Sequence, residues 1–300
     1  MNGSIRRAFR TILVPAMLTT LAVAHDEAPG TCKDCAAWNE TQKPFRVYGN
    51  TYYVGVRGLS SILVTSDRGH VLIDGGLAES APKIAASVLE LGFRMEDVKF
   101  ILNSHVHFDH AGGIAELQRL SGAKVVASQS SARVLQQGHS GTDDPQFGSI
   151  RGIPPVAHVK VVKDGETLTV GPLQLTAHLT PGHTPGGTTW TWKSCESERC
   201  LNVVYADSLT PVSADGFLFT RNTVYPSVLE DFENSFNKLD MLPCDILLTS
   251  HPDASDLWTR LEKHDHGAGA DAFVDPTACR RLVAAAREWL QARVGAERGG

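Results

Sequence analysis

The stretch His105-Val106-His107-Phe108-Asp109-His110 places four metal-binding side chains within six residues. It follows a β-rich apolar segment and precedes Ala-Gly-Gly and a helical pattern, so we expect it on a loop at the carboxyl end of a strand, where α/β proteins usually carry their chemistry. Imidazole nitrogens and carboxylate oxygens suit Zn²⁺. On extended backbone His105 and His107 point the same way, whereas Asp109 and His110 lie past the turn. The spacing therefore favours two neighbouring metal ions, rather than one ion or a merely polar surface loop.

The composition is that of an ordinary globular protein. Of 300 residues, 42% are hydrophobic and 20% are charged, and nothing resembles a linker or a low-complexity tract. The chain is long enough to bury a sizeable core. We therefore predict a single domain over residues 25–300.

Residues 1–24 have the pattern of a secretory signal peptide. Three arginines precede the mostly apolar segment 11–23, and the small-x-small sequence Ala-Val-Ala marks a cleavage site. A membrane anchor is the alternative, but the apolar segment is short for a bilayer span and Pro15 interrupts it. We expect cleavage near residue 24, a periplasmic or secreted protein, and no membrane attachment afterwards.

Cleavage would also change the net charge. Lys and Arg together fall from 28 to 25 against 33 acidic residues, so the mature chain carries a formal charge of −8. A negative chain argues against nucleic acid as a partner. The charge is too small for a disordered, solvating chain.

Six cysteines follow the signal segment, and an even count in a secreted protein indicates disulfides, with fifteen possible connectivities. One pair flanks a polar step and would close a hairpin tip, and a second would connect a late strand to the C-terminal helix. A Cys-x-x-Cys pair remains, which can also be a redox or zinc motif, although the secreted context favours a structural role. The pairs favoured are Cys195 with Cys200, Cys244 with Cys279, and Cys32 with Cys35.

The hydrophobic pattern predicts hairpins followed by αβ units, twice over. Predicted strands cover 51–56, 61–65, 70–73, 99–103, 124–127, 159–162, 167–170, 173–178, 188–192, 203–205 and 245–249, and predicted helices cover 79–91, 112–120, 130–137, 228–239 and 277–294. The irregular stretch 138–157 is long enough to indicate a functional loop. This order predicts an α/β fold in which two sheets pack together with helices outside.

Two later histidines also follow predicted strands. His183 lies in the Pro/Gly-rich turn 180–187, and His251 follows the strand 245–249 within Ser-His-Pro. Either residue alone could be a simple turn residue. Together with the run 105–110 they make six candidate ligands, and two zinc ions with three protein ligands each would use all six and leave room for a shared water.

These segments resemble the metallo-β-lactamase superfamily. The resemblance rests on His-x-His-x-Asp-His and the later Pro-Gly-His-Thr-Pro-Gly, Tyr-Ala-Asp-Ser-Leu and Ser-His-Pro, and it covers nearly the whole mature chain. It is strongest to subclass B3, to which segments 143–148 and 188–192 are also similar, and Ser208 stands where subclass B1 has a metal-binding cysteine. The family fold is an αββα sandwich of two mixed β-sheets with outer helices and the metal site at one edge.

The resemblance also implies a ligand set and a reaction. The first zinc would be held by His105, His107 and His183, and the second by Asp109, His110 and His251. Two zinc ions ~3.5–4 Å apart share a water and lower its pKa to about 7. The resulting hydroxide, oriented by the catalytic Asp109, would hydrolyse the β-lactam amide bond of penicillins, cephalosporins and carbapenems, giving antibiotic resistance.

By the same resemblance, Ser208, Thr210 and Gln146 would bind the substrate carboxylate through neutral groups. The expected partners are small-molecule β-lactams, and we expect a monomer. Family members that pair their first mature cysteine with one in the early hairpin have it where this chain has Arg57, so that bridge does not carry over, and Cys35 is the candidate replacement partner.

Three questions stay open at this level. A glyoxalase-II-like thioesterase or a lactonase on the same fold is the main alternative function, and Asp207 would then bridge the metals, as an aspartate does in those relatives. A secreted zinc-binding protein without catalysis is the second alternative. Asp74, in Leu-Ile-Asp-Gly-Gly, is either a hydrogen-bond partner of a ligating histidine or a turn cap.

Overall fold

Two β-sheets form the centre of the computed structural model, which describes residues 32–299. The predicted signal peptide lies outside the described residues. The strands are β1 (Phe45–Tyr48), β2 (Thr51–Tyr53), β3 (Ile62–Val64), β4 (His70–Ile73), β5 (Val98–Leu102), β6 (Lys124–Ala127), β7 (Val159–Val161), β8 (Thr167–Val170), β9 (Leu173–Leu179), β10 (Thr188–Glu196), β11 (Arg199–Ala206) and β12 (Ile246–Thr249).

The helices lie in the connections between strands and at the two ends of the described chain. They are α1 (Cys35–Trp38), α2 (Ala81–Glu90), α3 (Phe108–Ala111), α4 (Ile114–Ser121), α5 (Gln129–Gln137), α6 (Val228–Met241), α7 (Leu257–Lys263) and α8 (Ala278–Gly299). Short 3₁₀ turns cover Ala78–Ser80, Met95–Asp97, Pro252–Ser255 and Gly269–Phe273, and a π turn covers His264–Ala268. Within residues 32–299, no helix combines the length and the apolar composition that a membrane span requires.

Both sheets mix parallel and antiparallel pairs. The first has the strand order β1-β2-β3-β4-β5-β6-β7, antiparallel as far as β4 and parallel from β4 to β7. The second has the order β12-β11-β10-β9-β8, in which only the β11–β12 pair is parallel. Every residue of β4 and of β12 is buried, as expected for strands covered on both faces.

Three apolar layers hold the sheets and helices together. The central layer lies between the sheets, where Ile73 of the first sheet and Trp190 of the second belong to one buried cluster. On the outer face of the first sheet, α2, α4 and α5 pack through residues such as Ile84 and Leu117. On the outer face of the second sheet, α6 and α8 pack through Phe232 and other apolar side chains. The αββα sandwich is therefore confirmed.

The three expected disulfides are present. Cys195 and Cys200 are paired residues of the β10–β11 hairpin and close its tip. Cys244, just before β12, is bonded to Cys279 of α8. The third bridge joins the two cysteines of the Cys-x-x-Cys pair, Cys32 and Cys35.

Several boundaries differ from the predicted ones. Strand β1 occupies a segment for which no strand was predicted, and α7 was also missed. The predicted strand 51–56 ends at Tyr53, because the chain turns back and Val56 donates to the carbonyl of Leu59. The predicted strand 188–192 is too short, because the polar residues after it were not recognised as part of the strand. In the structure the β10–β11 hairpin continues to the disulfide at its tip.

The helix predicted at 112–120 is also different. A short helix already begins at Phe108, so Asp109 and His110 lie on a helical turn rather than on a loop. It is separate from α4 because the backbone here passes very close to residues 75–78. A side chain at Gly113 would meet the carbonyl oxygen of Gly75.

Candidate metal centre

The loop that follows β5 is fixed by a buried aspartate from the neighbouring strand end. Asp74 accepts hydrogen bonds from the backbone N–H of Ser104 (2.7 Å), the hydroxyl of Ser104 (2.6 Å) and the hydroxyl of Tyr205 (2.8 Å). Burial raises the pKa of Asp74, so these donors are needed to support it there. Asp74 therefore holds the start of the candidate ligand run in place. This is neither of the two expected roles, because among the described residues its hydrogen bonds go to the loop and to Tyr205 and not to a histidine ring.

The turn that carries His183 depends on a glycine. Gly182 has a φ of +141°, a value that residues with a side chain rarely adopt. A Cβ at this position would also lie 2.7 Å from the ring of Phe232. The turn follows β9 and leads into β10. In the same way, Ser208 and Thr210 follow β11 and His251 follows β12, so the candidate residues collect where several strands end.

The first ligand group consists of His105, His107 and His183. One ring nitrogen from each lies within 4.8 Å of the others, and all three side chains are buried. The remaining nitrogens are held by other groups. Nδ1 of His105 is 2.8 Å from Oδ1 of Asp207, Nε2 of His107 is 3.1 Å from Oδ2 of Asp144, and Nδ1 of His183 is 2.8 Å from the carbonyl of Thr210.

This arrangement fits a metal ion. Nε2 of His105 is buried without a hydrogen-bond partner among the described residues, which is unusual for a buried polar atom. Metal-binding histidines usually have their second ring nitrogen held by a carboxylate or a carbonyl, because this fixes the ring and its tautomer. All three histidines of the group meet that condition.

The second ligand group consists of Asp109, His110 and His251. The Nε2 atoms of the two histidines are 3.2 Å apart, and Oδ2 of Asp109 is 3.1 Å from the first and 3.3 Å from the second. Two ring nitrogens and one carboxylate oxygen thus converge on one point, a donor set that suits zinc. The ring of His251 is placed by Gly58, whose carbonyl oxygen is 3.2 Å from Nδ1, and by Trp38, whose ring centre is 5.3 Å away.

The charge states of three ligands also favour coordination. Burial lowers the pKa of His183 to about 3 and, together with the neighbouring histidines, lowers the pKa of His105 well below its usual value. Although burial alone would raise it, His110 and His251 hold the pKa of Asp109 well below its usual range. At neutral pH these residues are therefore neutral imidazoles and an ionised carboxylate, the forms that bind metal.

His107 differs in this respect. Burial alone would lower its pKa, but the charge and hydrogen bond of Asp144 outweigh burial and raise it. Asp144 also accepts hydrogen bonds from the hydroxyl of Ser140 and the backbone N–H of Gln146, each at 2.9 Å. One buried carboxylate thus ties the irregular stretch 138–157 to a candidate ligand.

The two ligand groups open onto one cavity of about 470 Å³, a volume within the usual range for small-molecule sites. The three residues expected to contact substrate all line it. Oγ of Ser208 is 2.9 Å from Oγ of Ser250, and Oγ1 of Thr210 is 3.1 Å from Nδ1 of His183. Nε2 of Gln146 is 3.5 Å from Nδ1 of His107.

The structure gives Asp207 a position that sequence reasoning did not anticipate. It belongs to neither ligand group but contacts His105 at Nδ1, the nitrogen that a metal on Nε2 would leave free. Sequence reasoning also missed the contact of Asp144 with His107 and the place of Trp38 beside His251. The segment around Asp144 was noticeable only through the family resemblance, because no spacing rule connects residues so far apart in the chain.

Comparisons with known proteins point to one family. A family model described as the metallo-β-lactamase superfamily matches residues 54–195. The solved structure of the Rm3 metallo-β-lactamase is 58% identical, with a TM-score of 0.88 over 89% of this chain and 99% of that chain. The structure of MEM-A1, a subclass B3 metallo-β-lactamase isolated from a soil metagenome library, is 50% identical, with a TM-score of 0.85 over 87% of this chain and 99% of that chain.

Curated relatives match over shorter segments. A hydroxyacylglutathione hydrolase from Maricaulis maris is 37% identical over 29% of this chain and 26% of its own length. An N-acyl homoserine lactonase from Bacillus cereus is 27% identical over 41% of this chain and 54% of its own length. The chain therefore spans about a quarter to a half of these two relatives, whereas it spans almost all of the two β-lactamase structures.

Proposed function

Because the chain belongs to the metallo-β-lactamase superfamily, and resembles its subclass B3 members over nearly their full length, we propose that it hydrolyses the amide bond of β-lactam antibiotics. The observation that carries the proposal is the pair of three-residue ligand groups opening onto one cavity with Ser208, Thr210 and Gln146. We include penicillins, cephalosporins and carbapenems among the substrates. Resistance to these antibiotics would follow in a bacterium that produces the enzyme.

We assign one zinc ion to each ligand group. His105, His107 and His183 would hold the first, and Asp109, His110 and His251 the second. When bound, the two ions supply Lewis acidity toward the lactam carbonyl and make a water nucleophilic at neutral pH. Asp207, Asp144 and the carbonyls of Thr210 and Gly58 keep four of the five histidine rings oriented for this purpose.

The protein residues would then bind the substrate and manage its proton. Oδ2 of Asp109 lies 3.1 and 3.3 Å from the two histidines of its group, so the carboxylate is in position for the reaction. We assign this carboxylate to orient the attacking water, accept its proton and pass it to the departing lactam nitrogen. The hydroxyls of Ser208 and Thr210 and the amide of Gln146 would bind the substrate carboxylate. The described lining of the cavity contains no Lys or Arg, so the carboxylate is held by neutral donors only, which suits a broad substrate range.

We further propose that residues 1–24 direct export and are removed, and that the mature enzyme acts as a monomer in the periplasm or outside the cell. The three disulfides support an oxidising compartment. A thioesterase or lactonase activity is the alternative. The position of Asp207 disfavours it, because this aspartate belongs to neither ligand group and contacts the Nδ1 side of His105.

The direct test is a hydrolysis panel. Protein expressed from the full chain is assayed with one penicillin, one cephalosporin, one carbapenem, a hydroxyacylglutathione thioester and an N-acyl homoserine lactone. We expect turnover of the β-lactams, loss of turnover after chelation, and recovery when zinc is restored. Chelator-resistant hydrolysis, or no β-lactam hydrolysis by protein that carries two zinc ions, would contradict the proposal. Hydrolysis of the thioester or the lactone alone would support the alternative.

A further inference from the structure

The C-terminal helix α8 presents an apolar face to the cavity that contains the two ligand groups. Leu282, Ala285, Ala286 and Trp289 all line that cavity. Their spacing places them along one side of a helix. Trp289 is 49% exposed, although large aromatic side chains gain free energy when they are covered. A half-exposed tryptophan in the wall of a ligand-sized cavity is suited to being covered by a bound molecule.

The same helix runs beside the segment that carries Ser208 and Thr210. One turn after Trp289, Arg293 donates to Oγ of Ser213 (3.0 Å) and to the carbonyl of Phe217 (3.2 Å). A further turn on, Glu297 accepts from the backbone N–H groups of Phe219 and Thr220. The segment after β11 is thus held against the last turns of α8.

Val212 extends the apolar face on that segment. It lines the cavity together with Trp289 and is 38% exposed. It is two residues beyond Thr210, whose hydroxyl is one of the groups assigned to the substrate carboxylate. An apolar wall therefore begins next to the carboxylate-binding hydroxyls.

The chemistry of β-lactams decides what would meet this wall. In cephalosporins and carbapenems, the ring carbon that bears the carboxylate is bonded to the ring carbon that bears the variable substituent. With the carboxylate at Ser208 and Thr210, we orient that substituent, which is one bond further on, toward Val212 and α8. Because this wall carries no charged side chain, an aromatic or aliphatic substituent would be favoured over a charged one.

We propose that Trp289, supported by Leu282 and Val212, binds the apolar or aromatic substituent on the ring carbon adjacent to the carboxylate. This inference rests on the proposed β-lactamase function and names a determinant of its specificity. Trp289 belongs to neither ligand group, so it would contribute to substrate binding and leave the chemical step unchanged.

The test compares two cephalosporins that share one acyl side chain, one with a carbon-linked aromatic substituent that ring opening does not expel and the other with a methyl group. For Trp289→Ala we expect KM to rise about 5- to 10-fold for the aromatic substrate and less than about 2-fold for the methyl one, with kcat unchanged for both. In Trp289→Phe, KM for the aromatic substrate should stay close to the wild-type value. In Val212→Ala, KM for the aromatic substrate should rise again, but by less than in Trp289→Ala. Calorimetric binding of the two hydrolysed products gives the same comparison without turnover.

The control is Met241→Ala, which removes a large apolar side chain that is 78% exposed on α6 and does not line the cavity. It should change neither KM. Equal changes for both substrates in Trp289→Ala, or no change for either, would overturn the inference while leaving the proposed function intact. If the zinc-loaded wild-type protein hydrolyses neither cephalosporin, the proposed function fails and the inference fails with it.

Discussion

Oδ1 of Asp207 lies 2.8 Å from Nδ1 of His105, and both side chains are fully buried. The contact fixes the imidazole ring and leaves Nε2, which has no partner among the described residues, as the nitrogen available to a metal. Burial raises the pKa of Asp207 well above its usual value, so ionising a carboxyl group at this position costs free energy. Asp207 therefore supports a candidate ligand from behind and stands apart from both ligand groups.

Replacing this carboxyl group should weaken only one metal site. For Asp207→Ala we expect zinc affinity at the group of His105 to fall about 10- to 100-fold, because a ring that loses its partner is no longer oriented. The measurement is a zinc titration against a chromophoric chelator, made in a His251→Ala background so that only the group of His105 is complete. Unchanged affinity there, with loss of zinc from the other group in the otherwise wild-type chain, would instead make Asp207 a metal ligand.

Asp144 should matter far more than its neighbour in the sequence. Asp144 is buried against His107 and accepts from the backbone of Gln146, whereas Asp143 forms a surface ion pair with Arg133. We expect Asp144→Ala to lower zinc affinity about 10-fold or more. Asp143→Ala should have almost no effect, since exposed ion pairs contribute little. Equal zinc affinities of the two variants would show that the contact with His107 is unimportant.

The two disulfides in the second half of the chain should differ in their effect on stability. Cys244 and Cys279 are 35 residues apart, whereas Cys195 and Cys200 are 5 apart and already paired across a hairpin. If the bonds act through loop-closure entropy, replacing the first pair by serines costs about 4 kcal/mol and replacing the second costs about 2 kcal/mol. Urea denaturation of the two double variants measures this difference. A larger loss for the hairpin pair would mean that native-state contacts dominate.

Asp275 should make stability depend on acid pH. Hydrogen bonds from Arg281, Thr277 and Arg260 outweigh its partial burial and hold the pKa of Asp275 well below its usual range. The unfolded chain then binds a proton more readily, so the stabilisation is complete above about pH 4 and is lost as the pH falls further. Asp275→Asn should lower stability by roughly 1 kcal/mol at pH 7, since the group is partly screened by solvent.

The check is the denaturation midpoint of wild type and Asp275→Asn at several pH values. The difference should shrink between about pH 4 and pH 2. Asp271, which pairs with Arg199 at the surface, supplies the control, and Asp271→Asn should change little at any pH. A difference between wild type and Asp275→Asn that stays constant down to pH 2 would rule out this source of stability.

Much of the fold was accessible from local pattern. Segments with clear alternation or a continuous apolar run, such as 70–73 and 124–127, have the predicted bounds in the structure. Strand β1 was missed because Phe45–Tyr48 is short and mixes a charged residue with apolar ones, and it becomes a strand only by pairing with β2. Strand β1 is stabilised by its hydrogen bonds and contacts with β2, and a pattern within residues 45–48 alone cannot reveal that pairing.

The sequence by itself determined the kinds of chemistry present: the spacing within 105–110, the turn around His183, and a cysteine pair at a hairpin tip are local properties of the chain. Tertiary structure decided which group supports which ligand. His105 and Asp207 are 102 residues apart, and His107 and Asp144 are 37 apart, so their contacts exist only because strand ends and a long loop meet at one edge of the sheets. The same holds for Trp289, which reads as an ordinary helix residue until α8 is packed beside the cavity.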